Sequence, residues 1–431
     1  PNAAPYHDSA SAELKERMEK PIPKWLDSEF LAQCLKTEMN NENVVIASFS
    51  ISRAAPPGDN YISCPFRIKI MYKRHTKDKD FYFKSLIIKS EATDCQMKDV
   101  AESLDFSEPL FYNKFLPEVI KLVETSIVPK SLPSPLFSIV VLEDLRDLGF
   151  KMASKSKKLD FDHSVLYIKA AANLHAASVV IHKDDPSLVE TIGKEKMFAN
   201  DLEIATLLKS LIRNGCKCLI DCVGEMEQFR KYRKLLKDTS AILWDLLVEA
   251  VKPSKLLNTI NQGDPWLTNM MFKYDEKDKV KEIRLLDFQL LRYGSPANDL
   301  VWFIWSSVSH DIRRNRLEDL YQIYVETFNC KLREFRCEDV ILDYSHFKEE
   351  IDKLSTLALY IVAAFPIFNS EKAVVDLSPF FLKENEDEEA LKIYKSYYNE
   401  DYCNNEVPRF LEEMEMAGVF SHLQRCQTNI S

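Results

Sequence analysis

The chain has 431 residues, of which 46% are hydrophobic and 29% are charged. This composition suits a folded protein with a large buried core and does not suit a disordered chain. The length favours two lobes with a cleft between them. A formal net charge of −10 repels nucleic acids and anionic bilayers unless basic residues cluster locally. We therefore expect no nucleic-acid partner, and we infer no obligate protein partner.

An N-terminal extension, residues 1–24, has neither the basic start nor the apolar stretch of a secretory signal. Residues 25–142 then form the smaller predicted lobe. The runs "VVIASFS", "FRIKIMY" and "FYFKSLIIK" have the β-branched and aromatic residues of three strands. A polar helical stretch follows from about Asp99 to Pro117, and "LFSIVVLEDL", residues 136–145, predicts a further strand.

Residues 143–431 form the larger predicted lobe, and from about Asp160 the pattern is helical. "SVLYIKAAANLHAASVVI" and "SAILWDLLVEAV" repeat apolar residues at spacings of three and four, which predicts two helices. Farther along, "NMMFKYDEKDKVKEIRLLDFQL" predicts a β-hairpin whose turn is "DEKDK". Beyond the hairpin we predict only helices. The predicted fold class is α+β and bilobal, with a β-rich N-lobe and a larger, mainly α-helical C-lobe.

The longest strongly apolar segment is "LSTLALYIVAAFPIF" at 354–368. It is about a quarter shorter than a membrane span requires, so we predict a buried helix that kinks at Pro366 and no membrane span. Ten cysteines are scattered along the chain, and their one cluster, Cys216, Cys218 and Cys222, lacks zinc-ligand spacing. We predict reduced core cysteines and a cytoplasmic location.

The segment "INQGDPWLTNMMF" places Asp264 and Asn269 within an otherwise apolar run. Together with Asp287, at the far end of the predicted hairpin, these residues would bring three oxygen ligands to one edge. Magnesium prefers one or two carboxylates completed by substrate phosphates, so this set outlines a magnesium site for ATP. Asp264 could then accept the proton of an attacking hydroxyl.

The N-lobe offers residues that suit the phosphates and base of a nucleotide. Lys89 ends an apolar strand, where an ammonium group needs a phosphate or carboxylate partner because an unpaired buried charge is costly. Glu108, in the following helical stretch, is a plausible partner. The strand that ends in "VLEDL" could pair its exposed backbone groups with an adenine edge.

Each of these residues also has a purely structural explanation. Asp264 could cap a helix, Asn269 could occupy a turn, and Lys89 and Asp287 could be exposed charges at strand ends. We interpret His175 as a buried, hydrogen-bonded helix residue rather than a catalyst. Helically spaced Trp302 and Trp305 have the pattern of core residues, so we leave both out of the predicted site.

The order of Lys89, Glu108, "LEDL", "LHAAS", "GDPWLTN" and "DFQLLRYGSPANDL" resembles the ecdysteroid kinase-like, or choline-kinase-like, family of insects, within the protein-kinase-like fold. The resemblance extends from about Trp25 to about Phe420. Any one of these motifs would be weak, but their joint order and spacing are specific. The resemblance implies a bilobal kinase-like fold that uses ATP and Mg²⁺.

The resemblance also implies roles for the nucleotide-binding residues. Lys89 would bind the ATP phosphates, Glu108 would hold Lys89, and the main chain around Glu143 and Leu145 would recognise adenine. The stretch "PPGDNYISCPFRIKI" corresponds to the loop that covers the phosphates. Two residues of that loop would lie near its tip, Gly58 and Ser63.

By the same resemblance, Asp264 would be the catalytic base, and Asn269 and Asp287 would bind magnesium. Asp299, in "SPANDL", would hold the catalytic loop from the start of a helix. The family usually has His-Gly-Asp at the catalytic position, whereas this chain has Gln262 before its Gly-Asp pair. We expect Gln262 to support the loop and activity to be retained.

The sequence favours a small-molecule kinase over a protein kinase, because it has neither His-Arg-Asp nor Ala-Pro-Glu, and "DFQ" stands where Asp-Phe-Gly is usual. The resemblance implies phosphorylation of a hydroxyl on an ecdysteroid or a similar, steroid-like lipophilic alcohol. Two alternatives stay open. One is a kinase for choline-like or xenobiotic alcohols, and the other is a catalytically silent kinase-fold protein that binds a lipophilic ligand.

Overall fold

The computed structural model describes residues 22–54, 65–90, 107–124, 126–369, 375–381 and 388–428. These residues form a small β-rich N-lobe and a larger, mainly helical C-lobe, as the sequence predicts. The last N-lobe strand ends at Glu143, beside the predicted lobe boundary. Most of the N-terminal extension lies outside the described residues.

The N-lobe is built on a five-stranded antiparallel sheet. Its strands are β1 (Val45–Arg53), β2 (Phe66–Lys73), β3 (Tyr82–Lys89), β4 (Ser131–Leu132) and β5 (Val140–Glu143). They are arranged in the order β1-β2-β3-β5-β4. The three strands predicted before Lys89 are confirmed. The strand predicted at 136–145 is shorter than expected, because residues 136–138 still belong to the turn that follows Pro133 and Pro135.

A helix, α1 (Ser28–Met39), covers one face of this sheet. The Asp27 carboxylate caps its N-terminus by accepting a hydrogen bond of 2.9 Å from the Phe30 N–H. Leu31 and Leu35 of the helix are fully buried with Ile68 of β2. The alternating apolar positions of the strands thus form a separate N-lobe core.

The helical stretch between β3 and β4 joins the two lobes. It runs as α2 (Ser107–Leu110), a π-helical turn (Phe111–Phe115) and α3 (Leu116–Leu122). The Phe111 ring stacks on Phe288 of the C-lobe at a centroid distance of 3.8 Å. This contact fixes Glu108 close to the residues that follow the C-lobe hairpin.

The C-lobe contains thirteen α-helices among the described residues. They are α4 (Phe161–Asp184), α5 (Pro186–Ile192), α6 (Ile204–Glu225), α7 (Arg233–Ser240), α8 (Leu243–Ala250), α9 (Ala297–Ser307), α10 (His310–Asn315), α11 (Leu317–Glu334), α12 (Tyr344–Lys353), α13 (Ser355–Ala364), α14 (Glu388–Tyr397), α15 (Val407–Met416) and α16 (Val419–Thr428). Short helical turns occupy Arg230–Tyr232, Leu267–Asn269, Phe365–Phe368, Ser378–Phe381 and Tyr402–Glu406.

The predicted hairpin is confirmed as β8 (Met270–Tyr274) paired with β9 (Val280–Leu285). A short strand, β6 (Lys151–Met152), adds to its edge. The expectation of only helices beyond the hairpin is wrong at β10 (Arg292–Gly294). This three-residue strand exists because it pairs with β7 (Thr259–Asn261), which is distant in the sequence.

The apolar segment at 354–368 forms the predicted buried helix, α13, which ends at Ala364. A 3₁₀ turn, Phe365–Phe368, occupies the position of the predicted kink at Pro366. Among the described helices, α4 is long and apolar enough to cross a membrane. However, 72% of its most apolar window is buried inside the protein, which is the burial of a core helix. A bent pair formed by α12 and the segment Ser355–Phe368 passes the same test when taken together.

The prediction that the cysteines are reduced is wrong for one pair, because a disulfide joins Cys222 to Cys403. These residues are 181 positions apart, so no local spacing could reveal their contact. Cys216 and Cys218 remain buried thiols, and burial raises the pKa of Cys218 to about 11. No cluster of metal-binding His, Cys, Asp and Glu residues occurs in the part of the chain that the structure describes. The cytoplasmic location stays a prediction.

Candidate active site

A cleft between the lobes is lined by five of the residues that the sequence analysis singled out, which are Lys89, Glu143, Leu145, Asn269 and Asp287. Its walls are largely apolar and include Ile87 of β3, Leu142 of β5 and Met271 of β8. Lys89 and Asp287 line its inner end. An apolar slot with a few convergent polar groups is the usual form of a nucleotide or cofactor pocket.

Lys89 lies at the centre of a buried ion-pair network. Its Nζ is 2.6 Å from Glu108 Oε1 and 3.4 Å from Asp287 Oδ1. Burial acts to lower the pKa of Lys89, but the carboxylates of Asp287 and Glu108 outweigh it and hold the pKa above its ordinary value. Lys89 is therefore a cation at the inner end of the cleft. Glu108 also accepts a 3.3 Å hydrogen bond from the Phe288 N–H.

The segment after β5 forms one wall of the cleft, with Glu143 and Leu145 in its lining. The Leu145 N–H has no hydrogen-bond partner among the described residues, although Leu145 is 3% exposed. A buried backbone donor needs an acceptor. An edge of a purine base inside the cleft would satisfy this requirement.

Asp144 holds this wall against the sheet. Its Oδ2 accepts hydrogen bonds of 2.6 Å from Arg67 Nε and 2.7 Å from the Ser85 hydroxyl. Burial acts to raise the pKa of Asp144, but these bonds outweigh it and keep the pKa below its ordinary value. The sequence analysis missed this network. The polar Arg67 and Ser85 within the predicted strands were the available signal.

The loop between β7 and β8, which carries Asp264, is anchored by Asp299 of α9. The Asp299 carboxylate accepts hydrogen bonds from the backbone N–H of Gln262, at 2.7 Å, and of Gly263, at 3.0 Å. His175 Nε2 lies 3.2 Å from Asp299, and His175 Nδ1 lies 2.7 Å from the Tyr324 hydroxyl. The interpretation of His175 as a buried, hydrogen-bonded residue is confirmed.

Within this loop, the Asn269 side chain is hydrogen-bonded to Asp264. Asn269 Nδ2 donates to the backbone oxygen of Asp264 at 3.0 Å and to its Oδ2 at 3.2 Å. Burial, together with the negative charge of Asp287, raises the pKa of Asp264 to about 7. The structure thus brings Asp264, Asn269 and Asp287 together, although 23 positions separate Asp264 from Asp287.

The donor set of this group fits a magnesium ion. Both hydrogen bonds of Asn269 use Nδ2, and no described residue donates to its Oδ1. The Asp287 side chain is 23% exposed and borders the cleft. Typical magnesium ligands in proteins are one or two such oxygens, and phosphate oxygens and water complete the coordination shell of the ion. A bound cation would also favour the charged form of Asp264.

A model of the ecdysteroid kinase-like family matches residues 57–337, which are more than half of the 431 residues. The chain belongs to this family. Membership supports a small-molecule kinase activity, and it agrees with the two-lobed fold. No curated protein matches the sequence.

Solved structures of several kinases resemble this ecdysteroid kinase-like chain at low identity. An ethanolamine kinase of Plasmodium vivax is 12% identical, with 84% of this chain and 83% of that chain covered and a TM-score of 0.39. A choline kinase of Streptococcus pneumoniae is 13% identical, with 86% and 99% covered and a TM-score of 0.31. An aminoglycoside phosphotransferase of Alicyclobacillus acidocaldarius is 12% identical, with 85% and 92% covered and a TM-score of 0.37. These distant similarities assign no substrate.

Gln262 supports the loop between β7 and β8 of this family member through its side chain as well as its backbone. Its Nε2 donates a 2.7 Å hydrogen bond to the Leu286 carbonyl, which immediately precedes Asp287. The side chain therefore ties the loop that carries Asp264 to the segment that carries Asp287. Gly58 and Ser63, predicted in the phosphate-covering loop, lie outside the described residues.

An aromatic wall stands beside Asp264. The Trp266 and Phe365 rings meet edge to face with centroids 6.1 Å apart, and Trp302 meets Phe365 in the same way at 5.4 Å. Trp302 is 2% exposed, which confirms it as a core residue. Its indole N–H interacts with the Asp264 carboxylate and acts to lower the pKa of that carboxyl, although the pair lies outside strict hydrogen-bond geometry. The sequence analysis left Trp302 out of the predicted site and did not single out Phe365.

Proposed function

We propose that this protein transfers the γ-phosphate of ATP, with Mg²⁺, to a hydroxyl of an ecdysteroid or a similar lipophilic alcohol. One observation carries the proposal. Asp264 lies on a loop anchored by Asp299, and Asn269 and Asp287 lie beside it. Phosphoryl transfer needs positioned charges and a group that orients the attacking hydroxyl, and this cluster has residues suited to both tasks.

In this proposal each part of the cleft has one task. Lys89, held by Glu108, binds the ATP phosphates, and the main chain of Glu143 and Leu145 pairs with adenine. Gly58 and Ser63 belong to the loop over the phosphates. Asn269 and Asp287 would hold Mg²⁺, which neutralises phosphate charge when bound.

Asp264 acts as the base in the proposed reaction. Its carboxylate orients the substrate hydroxyl and accepts its proton as the oxygen attacks the γ-phosphorus. A pKa of about 7 places this group where proton acceptance is effective near neutral pH. Asp299 and Gln262 hold the loop and do not touch the reacting atoms.

The aromatic wall supports an uncharged acceptor. Aromatic faces attract cations such as choline, but Lys155 Nζ already lies over the Trp266 ring at 5.7 Å from its centroid. A second cation at this ring would meet the positive charge of Lys155. A neutral alcohol with a large apolar surface meets no such repulsion and gains from contact with Trp266 and Phe365. This contrast favours a lipophilic alcohol over a choline-like one.

The decisive experiment compares Asp264→Asn with the wild type. ATP should still bind, because the amide keeps the size of the side chain, while transfer should fall by about 10²–10⁴ through loss of the base. ATP affinity is measured by titration calorimetry with Mg²⁺. Single-turnover transfer is measured on an alcohol found by screening ecdysteroids and other lipophilic alcohols for ATP consumption.

Asp245→Asn is the matched control, since Asp245 is exposed on α8 and does not line the cleft. It should leave both quantities unchanged. Transfer by Asp264→Asn at the wild-type rate would remove Asp264 from the role of base. A wild-type protein that binds ATP but phosphorylates no alcohol would favour the silent, ligand-binding alternative.

A further inference from the structure

The C-lobe has a second cavity, away from the nucleotide cleft, between helices α6 and α7. We call it the basic groove. Seven of its thirteen lining residues are lysines or arginines, and a single carboxylate, Asp221, lines it with them. The whole chain has a net charge of −10, so the groove has the opposite sign to the molecule that carries it.

Helical spacing arranges these charges as two facing stripes. Lys209, Arg213 and Lys217 recur every four residues on α6, and this spacing places them on one face of the helix. On the opposite side, Arg233 and Lys237 of α7 have the same spacing. The residues of both stripes line one cavity, so cations from two helices converge on the same space.

The other cations of the groove are Arg230 and Lys234. Lys234 pairs with Asp238, four residues farther along α7. Arg230 Nε donates to the backbone carbonyl of Gly224 at 3.1 Å, a bond that orients the guanidinium without neutralising it. Like charges that face one another across a groove repel, and the repulsion weakens folding unless an anion offsets it.

The floor of the groove is apolar and contains Ile212, Ile220 and Trp244. Lys209 Nζ lies 4.9 Å from the centroid of the Trp244 ring and donates to Asn200 Oδ1 at 3.1 Å. The cavity volume is about 960 Å³, which is the size of a small-ligand site rather than that of a single ion.

We propose that the basic groove binds a small polyanion that carries several phosphate groups. Arginine and lysine are the side chains that proteins use for phosphate, through charge-assisted hydrogen bonds. Two stripes of cations suit phosphates on two sides of one ligand, and the apolar floor suits the carbon ring that bears them. Such a ligand is either a soluble polyphosphorylated polyol or the headgroup of a polyphosphorylated lipid. This site is independent of the proposed phosphotransfer.

The test is calorimetric titration of the full chain with inositol hexakisphosphate at about 0.15 M ionic strength, where nonspecific attraction is screened. A saturating non-hydrolysable ATP analogue with Mg²⁺ occupies the nucleotide cleft. The variant Lys217→Gln with Lys237→Gln removes one exposed cation from each stripe. Its affinity should fall at least about tenfold, because each lysine contributes a charge-assisted contact.

The matched control is Lys121→Gln with Lys252→Gln. These lysines lie outside the groove, and their side chains are 67% and 59% exposed. The net charge of this control equals that of the groove variant, so a difference in affinity between the two proteins cannot come from their total charge. The control should bind as tightly as the wild type. Equal affinities of groove variant and control, or no binding by the wild type, would overturn the proposal.

Vesicles distinguish the two sources of the phosphates. Binding of both inositol hexakisphosphate and phosphatidylinositol bisphosphate vesicles identifies a lipid headgroup, whereas binding of the soluble probe alone identifies a soluble ligand. Either result supports the site. Equal binding to phosphatidylserine vesicles of matched surface charge would show diffuse attraction instead and would overturn it.

Discussion

At the scale of single residues, Gln262 is the most informative departure from the family pattern. Its backbone N–H donates to Asp299 and its Nε2 donates to the Leu286 carbonyl, so both contacts support the loop. Its Oε1 is buried and has no hydrogen-bond partner among the described residues. The side chain therefore has a scaffolding contact of the kind that a histidine N–H could also make.

We expect Gln262→His to change turnover by less than about tenfold, which is about 1.4 kcal/mol in the activation barrier. The imidazole N–H can donate to the Leu286 carbonyl in place of the amide, and Asp264 is unchanged. Steady-state turnover of the screened alcohol is the measurement. A gain of several hundredfold would show that the natural protein is impaired at this position, in support of the silent alternative.

At the scale of structural elements, the loop between β7 and β8 depends on backbone packing. Gly263 has φ +89°, and a Cβ atom built there would lie 1.7 Å from the Leu290 carbonyl oxygen. No side chain can occupy that space without moving the loop. The residue before the proposed base is thus packed closely against the backbone of Leu290, in the segment after β9.

We expect Gly263→Ala to lower the free energy of unfolding by more than about 3 kcal/mol and to abolish transfer, because strain and a steric clash add together. Gly418→Ala is the control. Gly418 has φ +78° but open space around its Cβ position, so it should cost only about 1 kcal/mol. Urea denaturation and single-turnover transfer test both variants, and equal losses would contradict the packing explanation.

At the scale of the whole molecule, Lys158 joins parts of the C-lobe that are distant in sequence. Its Nζ donates to the Ser306 carbonyl and to Asn369 Oδ1, both at 2.9 Å. Burial, with the positive charges of Arg313 and Lys155, lowers the pKa of Lys158 to about 7, and Glu406 offsets this only in part. In an unfolded chain the same lysine titrates at about 10.

Between these two pKa values, the unfolded chain binds a proton that the folded protein does not. The free energy of unfolding should therefore rise with pH from about 7 to about 10, at no more than about 1.4 kcal/mol per pH unit. Below pH 7 this dependence of the unfolding free energy on pH disappears, since the Lys158 amine is charged in both the folded and the unfolded states. Lys158→Met should remove this dependence, and urea denaturation of both proteins across the range measures the difference. Parallel curves would contradict the shifted pKa.

The sequence by itself determined the features that depend on local spacing. Strands β1 to β3, the hairpin of β8 and β9, helix α4 and the two lobes all follow from periodicity and turn residues that lie within a short window. The pairing of Asp264 with Asn269 is equally local, because five positions of one loop hold both residues. Membership of the family follows from the order of several such motifs.

Only the tertiary structure decided which distant residues meet. The Arg67 bond to Asp144, the disulfide of Cys222 with Cys403 and the strand β10 join segments whose own patterns contain no sign of the partner. The basic groove arose in the same way, since α6 and α7 are each ordinary charged helices and only their packing sets one cationic stripe opposite another. Spacing specifies which residues share a face of an element, whereas contacts between faces depend on how the elements pack.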